Sequence, residues 1–179
     1  MIRIQEKIKK VIYPALKSGL KVDNVHALPS LTKVVVSVGI RSDLKDQKVI
    51  DAILEDLKAI TGQKPVQTRS KKSISSFGIR EGQIVGAVVT LRGKRMYDFV
   101  EKLFNATLPR IRDFRGFDKK GFDKQGNFSI GFRDQIPFPE ISADTVKNNF
   151  GLQVTLTVKA ESNNASREFL TLLGLPLKK

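Results

Sequence analysis

The chain has 179 residues, 40% of them hydrophobic, and carries 32 Lys and Arg against 18 Asp and Glu, a formal charge of +14 with a pI near 10.1. That length and apolar fraction suit one domain with a real core, and so large a positive excess, which costs self-repulsion in a compact fold, points to a polyanionic partner. With no Cys, a single His and no Trp, disulfides, zinc fingers, thiolate chemistry and metal sites built on several His are excluded, and no paired carboxylates stand in a setting that would tune them for acid–base work.

No apolar run approaches the roughly 20 residues of a spanning helix, and no secretory signal opens the chain, so a cytosolic protein without a membrane partner is expected. Residues 2–18 read as a basic amphipathic helix with Ile4, Ile8, Val11 and Ile12 on one face and Lys7, Lys9 and Lys10 off it. Pro14 should kink or shorten this helix and Gly19 end it. Its apolar stripe is narrow and lacks an aromatic anchor beyond Tyr13, which disfavours a membrane-surface role. His26, in Val25-His26-Ala27-Leu28-Pro29, reads as a packing or surface residue.

Residues 31–39 form the first expected strand, with Val34, Val36 and Val38 facing one way and Lys33, Val35 and Ser37 the other. A helix over about 43–60 follows, with Ser42 as N-cap and Asp43 and Asp46 at the positive end of its dipole. Its core stripe is Leu44, Val49, Ile50, Ile53, Leu54, Leu57 and Ile60, and Gly62 stops it. Gly62-Gln63-Lys64 lacks the earlier Gly and the following Ser/Thr of a phosphate-binding loop.

From Lys64 to Gly82 the apolar period disappears, so this stretch reads as a long loop. Together with the strand and turn that follow it carries Lys64, Arg69, Lys71, Lys72, Arg80, Arg92, Lys94 and Arg95 against the single acid Glu81. One reading is a solvated surface loop; the other, favoured by the charge, is a basic finger shaped to touch a polyanion. Residues 84–92 return to a strand, with Val85, Ala87, Val89 and Leu91 on one face and Ile84, Gly86, Val88, Thr90 and Arg92 on the other. A helix over about 94–105 buries Met96, Phe99, Val100 and Leu103. The basic stretch Leu108–Phe117 is either an irregular crossover whose Arg residues pair with Asp113 and Asp118, or a contact arm.

Strands over 126–133 (Phe128, Ile130 and Phe132 inward) and 151–160 (Leu152, Val154, Leu156 and Val158 inward) flank a break at Pro137 and Pro139, and a last helix spans about 163–173. No linker divides the chain, so residues 1–179 read as a single domain in which the finger separates two halves. The inward faces are apolar, whereas Ser37, Thr90 with Arg92, Asn127 with Ser129, and Gln153, Thr155, Thr157 and Lys159 are short polar or basic groups. The fold class is therefore α+β: an antiparallel (mixed) sheet with helices packed on one face, the other face open, and a long basic loop between the halves. An open face of hydroxyls and amides is either an ordinary wet sheet face or, as the charge favours, a surface suited to the wide, shallow minor groove of folded RNA, where ribose 2′-hydroxyls are displayed. No helix presents the row of base-reading side chains that a major-groove DNA reader inserts.

The stretches Ile60-Thr61-Gly62-Gln63-Lys64-Pro65, Lys71-Lys72-Ser73-Ile74-Ser75-Ser76-Phe77 with Arg80-Glu81-Gly82, Val89-Thr90-Leu91-Arg92-Gly93-Lys94-Arg95-Met96-Tyr97-Asp98-Phe99, and Leu108-Pro109-Arg110-Ile111-Arg112-Asp113-Phe114-Arg115-Gly116, with Phe138-Pro139-Glu140-Ile141 later, closely resemble the bacterial family of large-subunit ribosomal protein five. The resemblance covers nearly the whole chain, with a family N-terminal half at 24–80 and a C-terminal half at 84–177. It implies a non-catalytic, cofactor-free structural protein, monomeric within the ribosome, in the central protuberance of the large subunit. Its implied partners are 5S rRNA, large-subunit rRNA, peptidyl-site tRNA, other 5S-associated ribosomal proteins and a small-subunit head protein across an intersubunit bridge. On the matching positions, 5S rRNA would be held by Ser37, Gln63 and Thr90 with Arg92 beside them. The tRNA-contacting loop would use Arg69, Lys71, Lys72, Ser73, Ser75, Phe77 and Arg80, and the intersubunit-bridge arm Arg110, Arg112 and Arg115. The chain departs from the family at Ser37, where Asn is usual, and after Gly39, where Ile40 and Arg41 follow without the usual second Gly. Ser keeps one donor and acceptor but loses the reach of an amide, so that contact should be weaker or water-bridged. Two rivals stand beside this expectation: a general double-stranded RNA-binding protein without a ribosomal role, and an RNA-cleaving or RNA-modifying enzyme using Glu81 or Asp113. The lack of Cys, the solitary His and the absence of clustered acids count against the second.

Overall fold

A computed structural model of the chain describes residues 4–20, 24–40, 46–142 and 148–178. The N-terminal helical stretch is shaped by Pro14. Helices α1 (Ile4–Lys7) and α2 (Tyr13–Leu20) are joined without a break by a π-helical turn, Ile8–Ile12, in which the Tyr13 N–H reaches back to the Ile8 carbonyl. Proline clashes with the carbonyl four residues before it, and a widened turn just upstream relieves that clash. The wider turn also rotates Val11 out of the expected apolar stripe: it is 53% exposed, and the buried series is Ile4, Ile8, Ile12 and Leu16. The helix runs through Gly19 to Leu20 rather than ending at the glycine.

Five strands form one sheet in the order β2-β3-β1-β5-β4, antiparallel throughout: β1 (Ser30–Gly39), β2 (Val66–Arg69), β3 (Ile84–Leu91), β4 (Phe128–Phe132) and β5 (Leu152–Lys159). The period-two reading holds in β1, β4 and β5. Val34, Val36 and Val38, then Phe128, Ile130 and Phe132, then Leu152, Val154, Leu156 and Val158 are buried, while their alternating neighbours are half-buried or exposed. Strand β2 is an element that periodicity missed. It lies inside the stretch read as loop and pairs with β3, Val66 opposite Val88, Gln67 opposite Ala87 and Thr68 opposite Gly86, with an irregularity between Thr68 and Arg69.

The described residues group into two compact units, each drawing on separated parts of the chain. One comprises Met1–Val34, Leu91–Ile130 and Thr155–Lys179. Its core takes the α1–α2 stripe, Met96, Phe99 and Val100 of α4 (Gly93–Lys102), Leu103 just beyond it, and Phe169, Leu170 and Leu173 of α5 (Asn163–Leu173). Ser162 caps α5 by accepting from the Ala165 N–H at 3.2 Å. The Lys7 ammonium donates to the Leu173 carbonyl at 3.4 Å, a cation at the negative end of that helix.

The second unit comprises Val35–Thr90 and Gly131–Val154. Helix α3 (Gln47–Thr61) buries Ile50, Ile53, Leu57 and Ile60, whereas Val49 and Leu54 are half-buried. Its start carries Asp46 at the capping position, with no side-chain hydrogen bond to the helix. The expected cap Ser42, with Asp43 and Leu44, lies outside the described residues. Gly62 ends α3 in the left-handed conformation (φ 68°), its N–H bonded to the Lys58 carbonyl at 2.8 Å. The buried Gln135 amide ties down the loop before β5, donating to the Asn148 carbonyl at 2.9 Å and accepting from the Phe150 N–H at 3.1 Å.

Candidate nucleic-acid interface

Within the Val35–Thr90 unit, the site begins with Thr61. Its hydroxyl back-bonds to the Leu57 carbonyl at 2.7 Å and lies 3.4 Å from the Gln63 N–H, so the chain leaves α3 in a fixed direction. That direction carries the Gln63 side chain to β3, where Nε2 donates to the Thr90 carbonyl at 3.2 Å. One amide hydrogen and Oε1 of Gln63 remain without a partner among the described residues, as do the half-buried hydroxyls of Ser37 and Thr90. The surface is therefore held by the fold while its outer donors and acceptors stay free for a ligand. Gly86 permits a close approach there: a Cβ at that position would fall 2.6 Å from the Val38 carbonyl oxygen and 2.9 Å from Thr68 Oγ1. A glycine inside a strand signals such a close approach, so Gly86 was within reach of the sequence; Thr68, on the strand that periodicity missed, and Thr61 were not singled out by any pattern. Arg92 is exposed and stands directly before α4, in the other unit.

In that other unit, the outward side of β4 and β5 carries a row of short polar groups. Ser129 and Thr155 hydroxyls lie 3.0 Å apart, Thr157 is half-buried, Lys159 is exposed, and Asn127 Oδ1 accepts from the Val158 N–H at 3.2 Å.

The basic finger has internal structure. β2 and β3 form its stem, closed by Ser70 N–H to Gln83 O at 2.8 Å and Gly82 N–H to Ser70 O at 2.9 Å. Beyond this clasp, Ile74 and Ile79 exchange two backbone bonds (2.8 and 3.1 Å) around a 3-10 turn, Ser75–Phe77, with Gly78 left-handed at φ 60°. Ser73 Oγ accepts from the Glu81 N–H at 3.0 Å, Ser70 Oγ donates to the Lys72 carbonyl at 2.6 Å, and Arg69 Nη1 donates to the Gly82 carbonyl at 3.1 Å. Lys71, Lys72, Ser73, Ser75 and Arg80 are exposed, and Phe77 is 67% exposed at the turn. Arg69 is exposed at the end of the stem.

The arm continues from α4 through a π-helical turn, Leu103–Thr107, and a 3-10 turn, Leu108–Arg110. Arg110, Arg112 and Arg115 are exposed between half-buried Ile111, Phe114 and Phe117. Among the described residues none of the three arginines pairs with Asp113 or Asp118. Asp113 adopts φ 55°, a left-handed conformation that Asp tolerates better than most side chains. Elsewhere, burial and then the neighbouring Glu55 raise the Asp56 carboxyl above its ordinary range, against the pull of a hydrogen bond from Gln135. Among the described residues no helix is long and apolar enough to cross a membrane.

Fold and site together define an α+β protein whose polar and cationic groups are held outward by backbone pairing, the class of a structural polyanion-binding protein. Comparison with known proteins makes the class specific. Residues 24–80 match the family described as ribosomal protein L5, and residues 84–177 match the model of that ribosomal family's C-terminus. Large ribosomal subunit protein uL5 of Halothermothrix orenii is 49% identical over 173 residues, spanning 97% of this chain and 97% of that protein. The chain belongs to the ribosomal protein L5 family. It is a structural protein of the large ribosomal subunit rather than an enzyme, and works with ribosomal RNA in the cytoplasmic ribosome.

Proposed function

We propose that the protein binds 5S rRNA through Ser37, Gln63 and Thr90, and also through Arg92, and so helps attach 5S rRNA to the large-subunit rRNA of the central protuberance. The observation that carries this reading is the Gln63 amide, bonded to the Thr90 carbonyl at 3.2 Å with its remaining donor and acceptor free. A half-exposed set of hydroxyl and amide groups suits hydrogen bonding to the 2′-hydroxyls of an A-form minor groove. The finger residues Arg69, Lys71, Lys72, Ser73, Ser75, Phe77 and Arg80 contact peptidyl-site tRNA. Their exposed charges engage the backbone without reading sequence, which every elongator tRNA requires. Arg110, Arg112 and Arg115 contribute to an intersubunit bridge with a small-subunit head protein. The protein acts as a monomer beside other 5S-associated ribosomal proteins.

The test is capture of the tagged protein from lysate with probing for 5S rRNA, followed by competition. Unlabelled 5S rRNA should displace the complex, while an unrelated RNA duplex in equal mass should not. Easy displacement by the unrelated duplex would instead assign a general double-stranded RNA-binding role.

A further inference from the structure

The chain does not stop at α5. Gly174 and Leu175 close that helix with a paired return, Leu175 N–H to Leu170 O at 2.9 Å and Gly174 N–H to Thr171 O at 3.1 Å, with Gly174 at φ 125°. This closure fixes the direction in which the next residues leave, and buried Leu175 anchors them. They run alongside the arm. Phe117 N–H donates to the Pro176 carbonyl at 2.8 Å, and Lys178 N–H donates to the Phe117 carbonyl at 2.9 Å, pairing Phe117 with Leu177 in parallel.

Gly116 permits the approach. Its φ is 92°, and a Cβ there would lie 3.1 Å from the Lys178 nitrogen and 3.2 Å from the Pro176 oxygen. On its other side the Phe117 ring meets Phe114 edge-on at 4.9 Å and Phe128 at 5.8 Å, and Phe128 is fully buried in β4. The arm is thus held between a core strand and the segment after α5, while Arg110, Arg112 and Arg115 stay outside.

We infer that Leu175–Lys178 is the positioning element of the arginine arm. It fixes the arm backbone before any partner arrives, so that binding does not have to order it. The inference rests on reading the arm as a contact surface. The element acts through two backbone bonds, so side-chain identity at Lys178 is immaterial while its N–H is essential.

Three full-length variants test it. Lys178→Pro deletes the donor and also favours the extended conformation at Leu177 that pairing requires. Lys178→Ala keeps the donor. Gly116→Ala crowds the same contact from the arm side. Backbone hydrogen exchange at Phe117 should quicken about tenfold in Lys178→Pro and Gly116→Ala, as expected for local opening, and stay unchanged in Lys178→Ala. The melting temperature of Lys178→Pro should stay close to the parent, which separates positioning from a general packing role. In reconstituted large subunits, Lys178→Pro should weaken association with small subunits several-fold and Lys178→Ala should not.

Unchanged exchange at Phe117 in Lys178→Pro, or equal loosening in Lys178→Ala, overturns the inference. Faster exchange with normal subunit association upholds the positioning element and rejects the bridge role of the arm instead.

Discussion

The most decisive perturbation is a paired truncation on the sheet face, Gln63→Ala and Thr90→Ala, set against Lys71→Ala in the finger. Gln63 makes one neutral bond within the protein, Nε2 to the Thr90 carbonyl at 3.2 Å. Losing it costs about 1 kcal/mol of stability, because the half-exposed carbonyl is then open to water. That is small beside the roughly 5–15 kcal/mol that holds a domain folded, so any larger effect on binding belongs to the interface. On the RNA side, Gln63 offers a free amide hydrogen and Oε1, worth about 1–2 kcal/mol together, or roughly 5–30-fold in Kd. Thr90 offers one hydroxyl, about 1 kcal/mol and roughly fivefold. Lys71 lies beyond the Ser70–Gln83 clasp, and its removal should change 5S binding by less than about twofold. Gel shifts with isolated 5S rRNA measure all three. If about six phosphates are neutralised, log affinity falls with log salt at a slope near −5; neither neutral substitution should alter that slope, whereas Arg92→Ala should reduce it by about 1. If Lys71→Ala weakens 5S binding more than both sheet substitutions, the sheet is not the docking face.

Three further outcomes are expected. Deleting 71–78 leaves Ile79–Gly82 to span Ser70 and Gln83, a loop length that hairpins accept, so 5S binding should persist while translation by reconstituted ribosomes falls; loss of 5S binding would merge the finger and the sheet face into one surface. Gly86→Ala places a methyl 2.6 Å from the Val38 carbonyl and should cost about 1–3 kcal/mol in urea unfolding, weakening 5S binding in parallel; an unchanged midpoint would contradict the close approach. Asp56, raised by burial and Glu55, binds its proton more readily folded than unfolded, so its ionised form penalises the fold at neutral pH and the penalty is relieved as pH falls through the raised value. Asp56→Asn should therefore raise the melting temperature at neutral pH, with the gain vanishing in acid; a gain that grows in acid would reverse the assignment.

The sequence displayed the sheet and helices wherever one face is buried. Val34, Val36 and Val38, or Leu152 through Val158, could alternate only because every second residue meets the core. Strand β2 broke this rule for a physical reason: it is the edge strand, Val66 is 69% exposed, and neither of its faces is fully covered, so no period was written into it. Val11 was misplaced because a uniform helical period cannot register the π turn that Pro14 demands. The site was legible only unevenly. The finger announced itself through charge. Gln63 did not, since its partner lies 27 residues away and one amide among many polar residues carries no pattern; the family resemblance, not spacing, singled it out. The pairing of Phe117 with Leu177 was equally silent, because a single parallel pair leaves no periodicity.

Three surfaces project polar or cationic groups, and each is held rigid by a different means. The sheet face inherits its order from β1 and β3, whose inner sides are buried. The finger tip has exposed Ile74 and Phe77 instead of a core, and keeps its shape through local backbone bonds at Ile74–Ile79 and Ser70–Gln83. The arm is pinned by the segment after α5. Fixing a free backbone residue costs about 1–2 kcal/mol, so a loop the size of the finger tip, left unstructured, would lose most of the attraction its lysines and arginines supply when it settled on RNA. Local pairing removes much of that penalty without burying apolar surface, so the tip can open locally at little cost. That combination suits the transient tRNA contact proposed for the finger, whereas a face carried on paired strands suits the lasting contact proposed with 5S rRNA.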